Sequence, residues 1–566
     1  MIEDARIIPP GTCLKTDLCV IGGGAAAISL ALEYLKSGRQ VILLPGGGPN
    51  QTTSGIDLYR GKVSPPGSHE PLEENRLRMW GGTTTVWGGR IVAFDPVDFA
   101  KRSWVPNSGW PISLESLQDF ITRACQLSEA GVADFDARSA FPGTQPEILR
   151  SFDDEDFATW PLERWSVPTD FSKRYRPDLN AAPNVRVLLH AHAIHLQMDA
   201  SGATLQHVEA ACTPGSTFRI EARNVVLACG ALENARLLLA SRDVLPAGIG
   251  NGHDLVGRYY QSHRFGVCGH AELKDPTKDF IYDFETDKEG VYCRRRFWLT
   301  PEAQEKHQVN NVVGFFFRTV SGASEHRNAM VSTVLLAKML LGGAKKGPRR
   351  LGRILKDQRR ELLTHIGIVL KDGPSIFGQL AAVAYTRYFQ KRRLPMVLPP
   401  KKSNRFPLFF QTEHAPLADS RVVLDPSSFD DFGMPRLDVR IQFSEIDFRT
   451  ISTFIRLFKQ RLESSGAGTF HLTEDEEAFL NEPARQEFNS NSHNIGTTRM
   501  GVTPDAGVVD VNCKVHGVDN LYVAGSSVFP TSSHANPTLM IVALSLRLAD
   551  HLKATAQGDG RAAFPS

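Results

Sequence analysis

The segment that most limits what this chain can fold into lies at residues 16–50. TDLCVI, residues 16–21, is a short apolar run of β-type. GGGAAAISLALEYLKSG follows it, and then RQVILLPGGG. Ala27, Leu30, Ala31, Tyr34 and Leu35 recur at helical spacing, and Gly38 offers a helix stop. Val41 to Leu44 is continuously apolar, as a parallel strand covered on both faces would be. The predicted order is strand, glycine turn, helix, strand. Within it Gly22-x-Gly24-x-x-Ala27 fits the dinucleotide fingerprint. Gly22 allows the tight turn, Gly24 lets the backbone approach a pyrophosphate, and Ala27 lets helix and strand pack closely. The phosphates would rest on the unpaired N–H groups at the helix start.

One part of that pattern is absent. An acidic residue is expected at the end of the second strand to bind the adenosine ribose. Here the chain reads Leu44-Pro45-Gly46-Gly47, and the side chain of Pro45 can accept no hydroxyl.

Composition bounds the partners. The 566 residues carry 64 Lys+Arg and 62 Asp+Glu, a net charge of +2, which gives no global reason to expect nucleic acid. At 42% hydrophobic the chain is an ordinary globular one, long enough for two large domains or a few smaller ones. Its eight cysteines form no C-x-x-C pair and read as reduced residues of a reducing compartment. The start, MIEDARIIPPGT, lacks the basic-then-apolar order of a signal peptide. No apolar run approaches the ~20 residues of a membrane span. A soluble, cytoplasmic protein is the expectation. No H-x-x-x-H or similar spacing suggests a metal site.

Three further segments extend the nucleotide reading: RMWGGTTTVWGGR (Arg78 to Arg90), NVVLACGALENARLLLAS (Asn224 to Ser241), and SHNIGTTRMG (Ser492 to Gly501). The last is followed by GVVDVNCKVHGVDNLYVAGSSVFPTSSHANPTLMIVALSLRLADHL. With the N-terminal unit, these resemble the glucose–methanol–choline (GMC) oxidoreductases, a family of FAD enzymes. The ending looks most like the branch of pyranose 2-oxidase, the sugar dehydrogenase flavoproteins and the glycoside 3-oxidases.

That resemblance implies the following. The activity is oxidation of a CH–OH group of a sugar, glycoside or related polyol, with hydride passing to flavin N5. His493, in H-x-x-G-T, is the base, and Asn536, in N-P-T, is its partner; histidine suits a base working near neutrality. Asn536 carries a fixed donor and acceptor to hold the same hydroxyl. Gly81, Gly82, Thr83, Thr84 and Thr85 run beneath the flavin ring. Val86 stands where some members tether FAD through a histidine, so the FAD is expected to be non-covalent. Gly230, Gly525 and Ser526 approach the dinucleotide, and the helix from Pro537 aims its positive end at the flavin. The electron acceptor is O2 or a redox partner. A lyase of the same fold, without net oxidation, is the alternative. His534 either enters the site or lines its loop, while His263 and His516 read as structural.

The implied architecture is α/β: a Rossmann-like FAD domain interleaved with a substrate domain on a mostly antiparallel sheet. The FAD domain takes 12–95, 180–262 and 490–555, and the substrate domain takes 96–179 and 263–489. Phe410 to Phe443 alternates β-rich runs with a turn segment at Asp425 to Gly433. Residues 336–405 hold 17 Lys or Arg against three acids. They read as a basic helical insert, with contact to an anionic membrane or an acidic partner as the sharper reading.

Overall fold

The computed structural model describes residues 1–316 apart from 276–279 and 282, then 404–472, 489–490 and 493–558. Between 317 and 403 it describes the helix Arg359–Lys371 and isolated positions from 332 to 395. Most of the basic insert expected at 336–405 therefore lies outside the described residues.

Two sheets organise the chain. The first has strand order Ile2–Asp4, Val185–Leu189, Val41–Leu44, Cys13–Ile21, Ser216–Leu227, Leu205–Thr213, His192–Met198. Leu521–Val523 pairs in parallel with the C-terminal end of Ser216–Leu227. The strands from Ile2–Asp4 to Ser216–Leu227 run parallel, and an antiparallel meander closes that side. Cys19–Ile21 and Val41–Leu44 are buried throughout, as continuous apolar runs in a parallel sheet must be.

Helix Ala25–Leu32 follows the first glycine turn. It is shorter than the periodicity through Leu35 predicts. After Leu32 the backbone tightens into bonds between residues three apart: Glu33 to Leu30, Tyr34 to Ala31 and Leu35 to Leu32. Tyr34 stays buried, so the apolar face continues although the α-helix does not. Gly38, at φ +70°, turns the chain towards the next strand.

The second sheet is antiparallel at every pairing. Its order is Gly468–Leu472, Arg264–Leu273, Arg405–Thr412, Val312–Phe316, Phe297–Leu299, Phe157–Ala158. Helix Glu445–Ser464 covers it with Ile451, Phe454, Ile455, Phe458 and Leu462, the i, i+3, i+4 stripe of an amphipathic helix. Phe152, Phe157, Phe297, Phe316 and Phe406 complete this core, many of them edge to face with a neighbour. A reciprocal cap between Ser444 and Asp447 fixes the start of that helix.

Close approach explains the first glycine of the fingerprint. Gly22 has φ +141°, and a Cβ there would lie 2.2 Å from the Ala228 carbonyl oxygen. The turn after Cys13–Ile21 thus packs against the end of Ser216–Leu227 with no room for a side chain. Gly22→Ala is expected to destabilise the protein by about 3 kcal/mol through this overlap. Chemical denaturation checks it: an unchanged midpoint would show that the two strand ends can separate freely.

Candidate active site

The glycine turn, the start of helix Ala25–Leu32 and the end of Ser216–Leu227 border one elongated cleft. Gly22, Gly24, Gly82, Thr83, Thr84, Cys229, Gly230, Gly525 and Ser526 line it. Met79, Trp87, His493, Asn494, Pro537 and Thr538 contribute as well. Of the sequence-predicted residues, Ala27 is buried beneath it, packing helix to strand. Gly81 sits just behind, its N–H donating to the Gly23 carbonyl at 2.8 Å. Val86 is 71% exposed and does not line the cleft. Thr84 and Thr85 spend their hydroxyl protons on the Gly81 and Gly82 carbonyls, so only their lone pairs remain for a ligand.

The cleft suits a dinucleotide. Gly24, Gly230 and Gly525 have nothing within 4 Å of the position of an added Cβ, so bare backbone faces open space. No side chain caps helix Ala25–Leu32, which leaves its first N–H groups available to phosphate oxygens.

At the end of Val41–Leu44 the missing acid is replaced by a cation. A Cβ on Gly46, next to Pro45, would meet Arg78 Nη1 at 2.9 Å. The guanidinium therefore stands beside the strand end at which the fingerprint places its acid. Arg78 Nη2 donates to Glu233 Oε2 at 2.8 Å, and its buried Nε has no hydrogen-bond partner among the described residues. Burial alone would raise the Glu233 pKa, but Arg236, Arg78 and Arg76 draw it down to about 2. Both Arg78 and Glu233 line the cleft. Sequence reasoning missed them because no motif links 78 and 233 to position 45.

The other end holds His493. Its segment is pinned to Gly525–Val528: Gly496 N–H donates to the Ser526 carbonyl, Thr498 to Ser527, and Met500 to Val528. Gln261 and Ile495 form an antiparallel bridge, with N–H···O bonds of 3.0 and 3.1 Å. That register sets residue 263 opposite residue 493. The two Nδ1 atoms lie 2.9 Å apart. His263, expected from sequence to be structural, thus touches His493 directly.

Asn536 belongs to the same network. Its Oδ1 accepts from Arg90 Nη1 at 2.9 Å and lies 3.3 Å from Gln411 Nε2. Gln411 Nε2 also lies 3.0 Å from His263 Nδ1 and donates to the His534 carbonyl at 2.6 Å. Arg90 pairs in turn with Glu163, which is clasped from its other oxygen by Arg294 at 2.6 Å. Burial opposes ionisation of Glu163, yet Arg294 and Arg90 hold its pKa at about 2. Burial, then the Arg90 cation, lowers the His493 imidazole to about 3, so the ring is neutral across the physiological range.

His534 does not line the cleft. It is fully buried, 2.9 Å from both Asp95 Oδ2 and Arg296 Nη1, and it helps join the two sheets. His516 meets only a backbone carbonyl, that of Gly501.

Residues 416–545 match the GMC oxidoreductase family model. The 6'''-hydroxyparomomycin C oxidase of Streptomyces lividus is 24% identical over 97% of this chain and 94% of its own length. The C-terminal part of the chain, residues 416–545, is thus similar to the GMC oxidoreductases. The C-glycoside 3-oxidase of Microbacterium trichothecenolyticum is 32% identical over 24% of each chain. The fructose dehydrogenase large subunit of Gluconobacter japonicus is 23% identical over 95% of this chain and 97% of that protein. Among solved structures, the fold matches pyridoxine 4-oxidase from Mesorbium loti with a TM-score of 0.54. There the identity is 15%, covering 95% of this chain and 99% of that one.

The glycine-lined end of the cleft yields a prediction for FAD, the cofactor that the resemblance implies. Arg78→Met is expected to weaken FAD binding by about tenfold or more, the worth of a charge-assisted hydrogen bond. FMN, which has no adenosine, should bind the variant as it binds the parent. Titration of apoprotein with both cofactors checks this, and an equal loss for the two would place Arg78 elsewhere.

Proposed function

We propose that this chain is a GMC oxidoreductase that oxidises a secondary or primary alcohol of a sugar, glycoside or related polyol, with His493 as base and Asn536 as its partner. One observation carries the reading: His493 lines the cleft, and Asn536, though not itself among the lining residues, is joined to it through Gln411 and His263. Arg90 holds the Asn536 oxygen, so the amide turns its Nδ2 hydrogens towards any ligand. Among the described residues neither Asn536 Nδ2 nor His493 Nε2 makes a hydrogen bond. A substrate hydroxyl can then donate its proton to His493 Nε2 while its oxygen accepts from Asn536 Nδ2. Holding both atoms of one hydroxyl aligns the carbinol C–H, and the proton moves to Nε2 as that bond breaks. Arg90, one bond behind Asn536, favours the negative charge growing on the oxygen. FAD, when bound, would supply the acceptor for the hydride, which carries both electrons.

The substrate class follows the relatives' names, which include an aminoglycoside oxidase, a glycoside oxidase and a fructose dehydrogenase. Those names also span oxidases and dehydrogenases, so the reoxidant is O2 or a redox partner. We read the FAD as dissociable, since Val86 offers no nucleophile for a tether. We place the FAD domain at 12–95, 180–262 and 490–555, and the substrate domain at 96–179 and 263–489. The eight cysteines are free thiols, which fits a cytoplasmic setting. Among the described residues no helix is long and apolar enough to cross a membrane.

Contact with an anionic membrane surface fits the helix Arg359–Lys371. Leu363, Ile366 and Leu370 are exposed along it, at i, i+3 and i+7, and basic residues stand at both its ends. Sedimentation with phosphatidylserine vesicles at low salt should carry the protein down, and salt should release it. Failure to sediment would end the membrane reading.

Anaerobic mixing with a panel of sugars, glycosides and polyols is expected to bleach the flavin. A persistent yellow spectrum with every one would favour the lyase alternative. His493→Ala should retain FAD and slow reduction by about 10²–10⁴-fold. Because the lowered pKa leaves the imidazole unprotonated, the parent's reduction rate should stay flat between about pH 5 and pH 8. In Arg90→Met the loss of a cation raises that pKa, so the rate should fall first on the acid side.

A further inference from the structure

We infer that His263 is a positioning residue that fixes the tautomer of His493, and that Gln411 and Arg90 fix it through His263. The chain of deduction starts from a group with no choice. Arg90 can only donate, and its Nη1 lies 2.8 Å from Gln411 Oε1. The Gln411 amide is therefore oriented with its oxygen towards Arg90 and its nitrogen away. The His534 carbonyl, which can only accept, lies 2.6 Å from that nitrogen and enforces the same orientation.

His263 now has two neighbours of known sense. Its Nδ1 faces the Gln411 N–H2 group at 3.0 Å, so Nδ1 must carry a lone pair. Its Nε2 faces the Ser532 carbonyl at 3.3 Å, so Nε2 must carry the hydrogen. The opposite tautomer would set donor against donor at one end of the ring and acceptor against acceptor at the other. Inside a buried site each such mismatch costs about 1–3 kcal/mol. His263 is buried, and burial, then His493, holds its pKa well below the ordinary value, which keeps it neutral.

A second bare nitrogen 2.9 Å from His263 Nδ1 would set acceptor against acceptor, so His493 Nδ1 must donate, sharing the one lone pair with the Gln411 hydrogen. Neutral His493 is thereby held as the Nδ1–H form, the minor one for a free imidazole. Its Nε2 keeps the lone pair that the proposed base requires. In the other tautomer Nε2 would carry a hydrogen and could take no proton from a hydroxyl. The inference rests on the base reading for its consequence, though not for its geometry.

Two variants separate an acceptor from mere bulk. His263→Asn keeps an oxygen near the position of Nδ1, whereas His263→Leu removes every acceptor. Holoprotein is labelled with ¹⁵N-histidine, and the His493 signals are assigned by their loss in His493→Ala. In the parent and in His263→Asn, the ¹⁵N shifts should report a protonated Nδ1 and a bare Nε2. In His263→Leu they should report the reverse. Flavin reduction should slow about 10- to 100-fold in His263→Leu, the usual worth of an orienting partner, and recover in His263→Asn. A parent spectrum with protonated Nε2, or a tautomer unmoved in His263→Leu, would overturn the inference. The parent spectrum decides even where a variant fails to fold. If instead the tautomers behave as stated but His493→Ala reduces flavin normally, the base reading fails and the positioning of the ring stands.

Discussion

Arg90 donates through its Nη1 NH2 group to both Gln411 Oε1 and Asn536 Oδ1, and the chemistry at this end of the cleft takes its direction from those contacts. Amides and imidazoles are symmetric enough in shape to sit either way round. A guanidinium has no acceptor to offer, so whatever faces it must present oxygen. Arg90 itself is held by Glu163, which Arg294 secures from the far side. A buried carboxylate shared by two arginines is costly to desolvate and gives little net stability. What it provides is an orientation that does not depend on the ligand.

The same cations set the charge state. Glu163 neutralises one arginine of the two that hold it, which leaves positive potential beside His493. That potential and burial keep the imidazole neutral. Deeper in the sheet junction the balance differs. Asp95 is drawn down against Arg296 and His534, and Asp98 is pushed up to about 8 by burial, Asp95 and Glu413. Asn311 bridges the two carboxyls with its amide hydrogens. An oxygen losing its proton near Asn536 therefore meets fixed positive charge, while the negative charge lies behind it.

Local pattern made part of this legible before any coordinates. The strand, turn, helix and strand at 13–44 follow from apolar periodicity and glycine, and the β-rich runs of 410–443 appear as Arg421–Phe429 and Pro435–Arg440, although the first strand runs on through the first half of the turn expected at Asp425 to Gly433. The short first helix was less legible, since Tyr34 and Leu35 keep helical spacing while the backbone tightens. His263 was illegible for a different reason. Its contact with His493 depends on a bridge between Gln261 and Ile495, a pairing across more than 200 residues that no local pattern encodes. The role of Glu163 was hidden in the same way, because its arginines come from two other strands, Arg90–Ile91 and Tyr292–Arg295.

The replacement of an acid at position 45 by Arg78 follows the same physical scheme at the opposite end of the cleft. Glu233 sits in the first turn of helix Ala231–Ala240, where the helix dipole already favours a carboxylate, and it binds Arg76, Arg78 and Arg236. Arg76 and Arg78 also lie over the Tyr59 ring, at 4.1 and 4.8 Å. With its planar group fixed on two sides, Arg78 can point Nε at a ligand oxygen without losing side-chain freedom on binding. A carboxylate at 45 would accept from ribose hydroxyls; a guanidinium donates to them, and a hydroxyl serves either sense equally. Inverting the charge at this strand end therefore need not cost affinity, provided the cation is already paired and rigid. Glu233 meets that condition here, as Glu163 does for Arg90, so both ends of the cleft depend on a buried carboxylate that makes no direct contact with the reacting atoms.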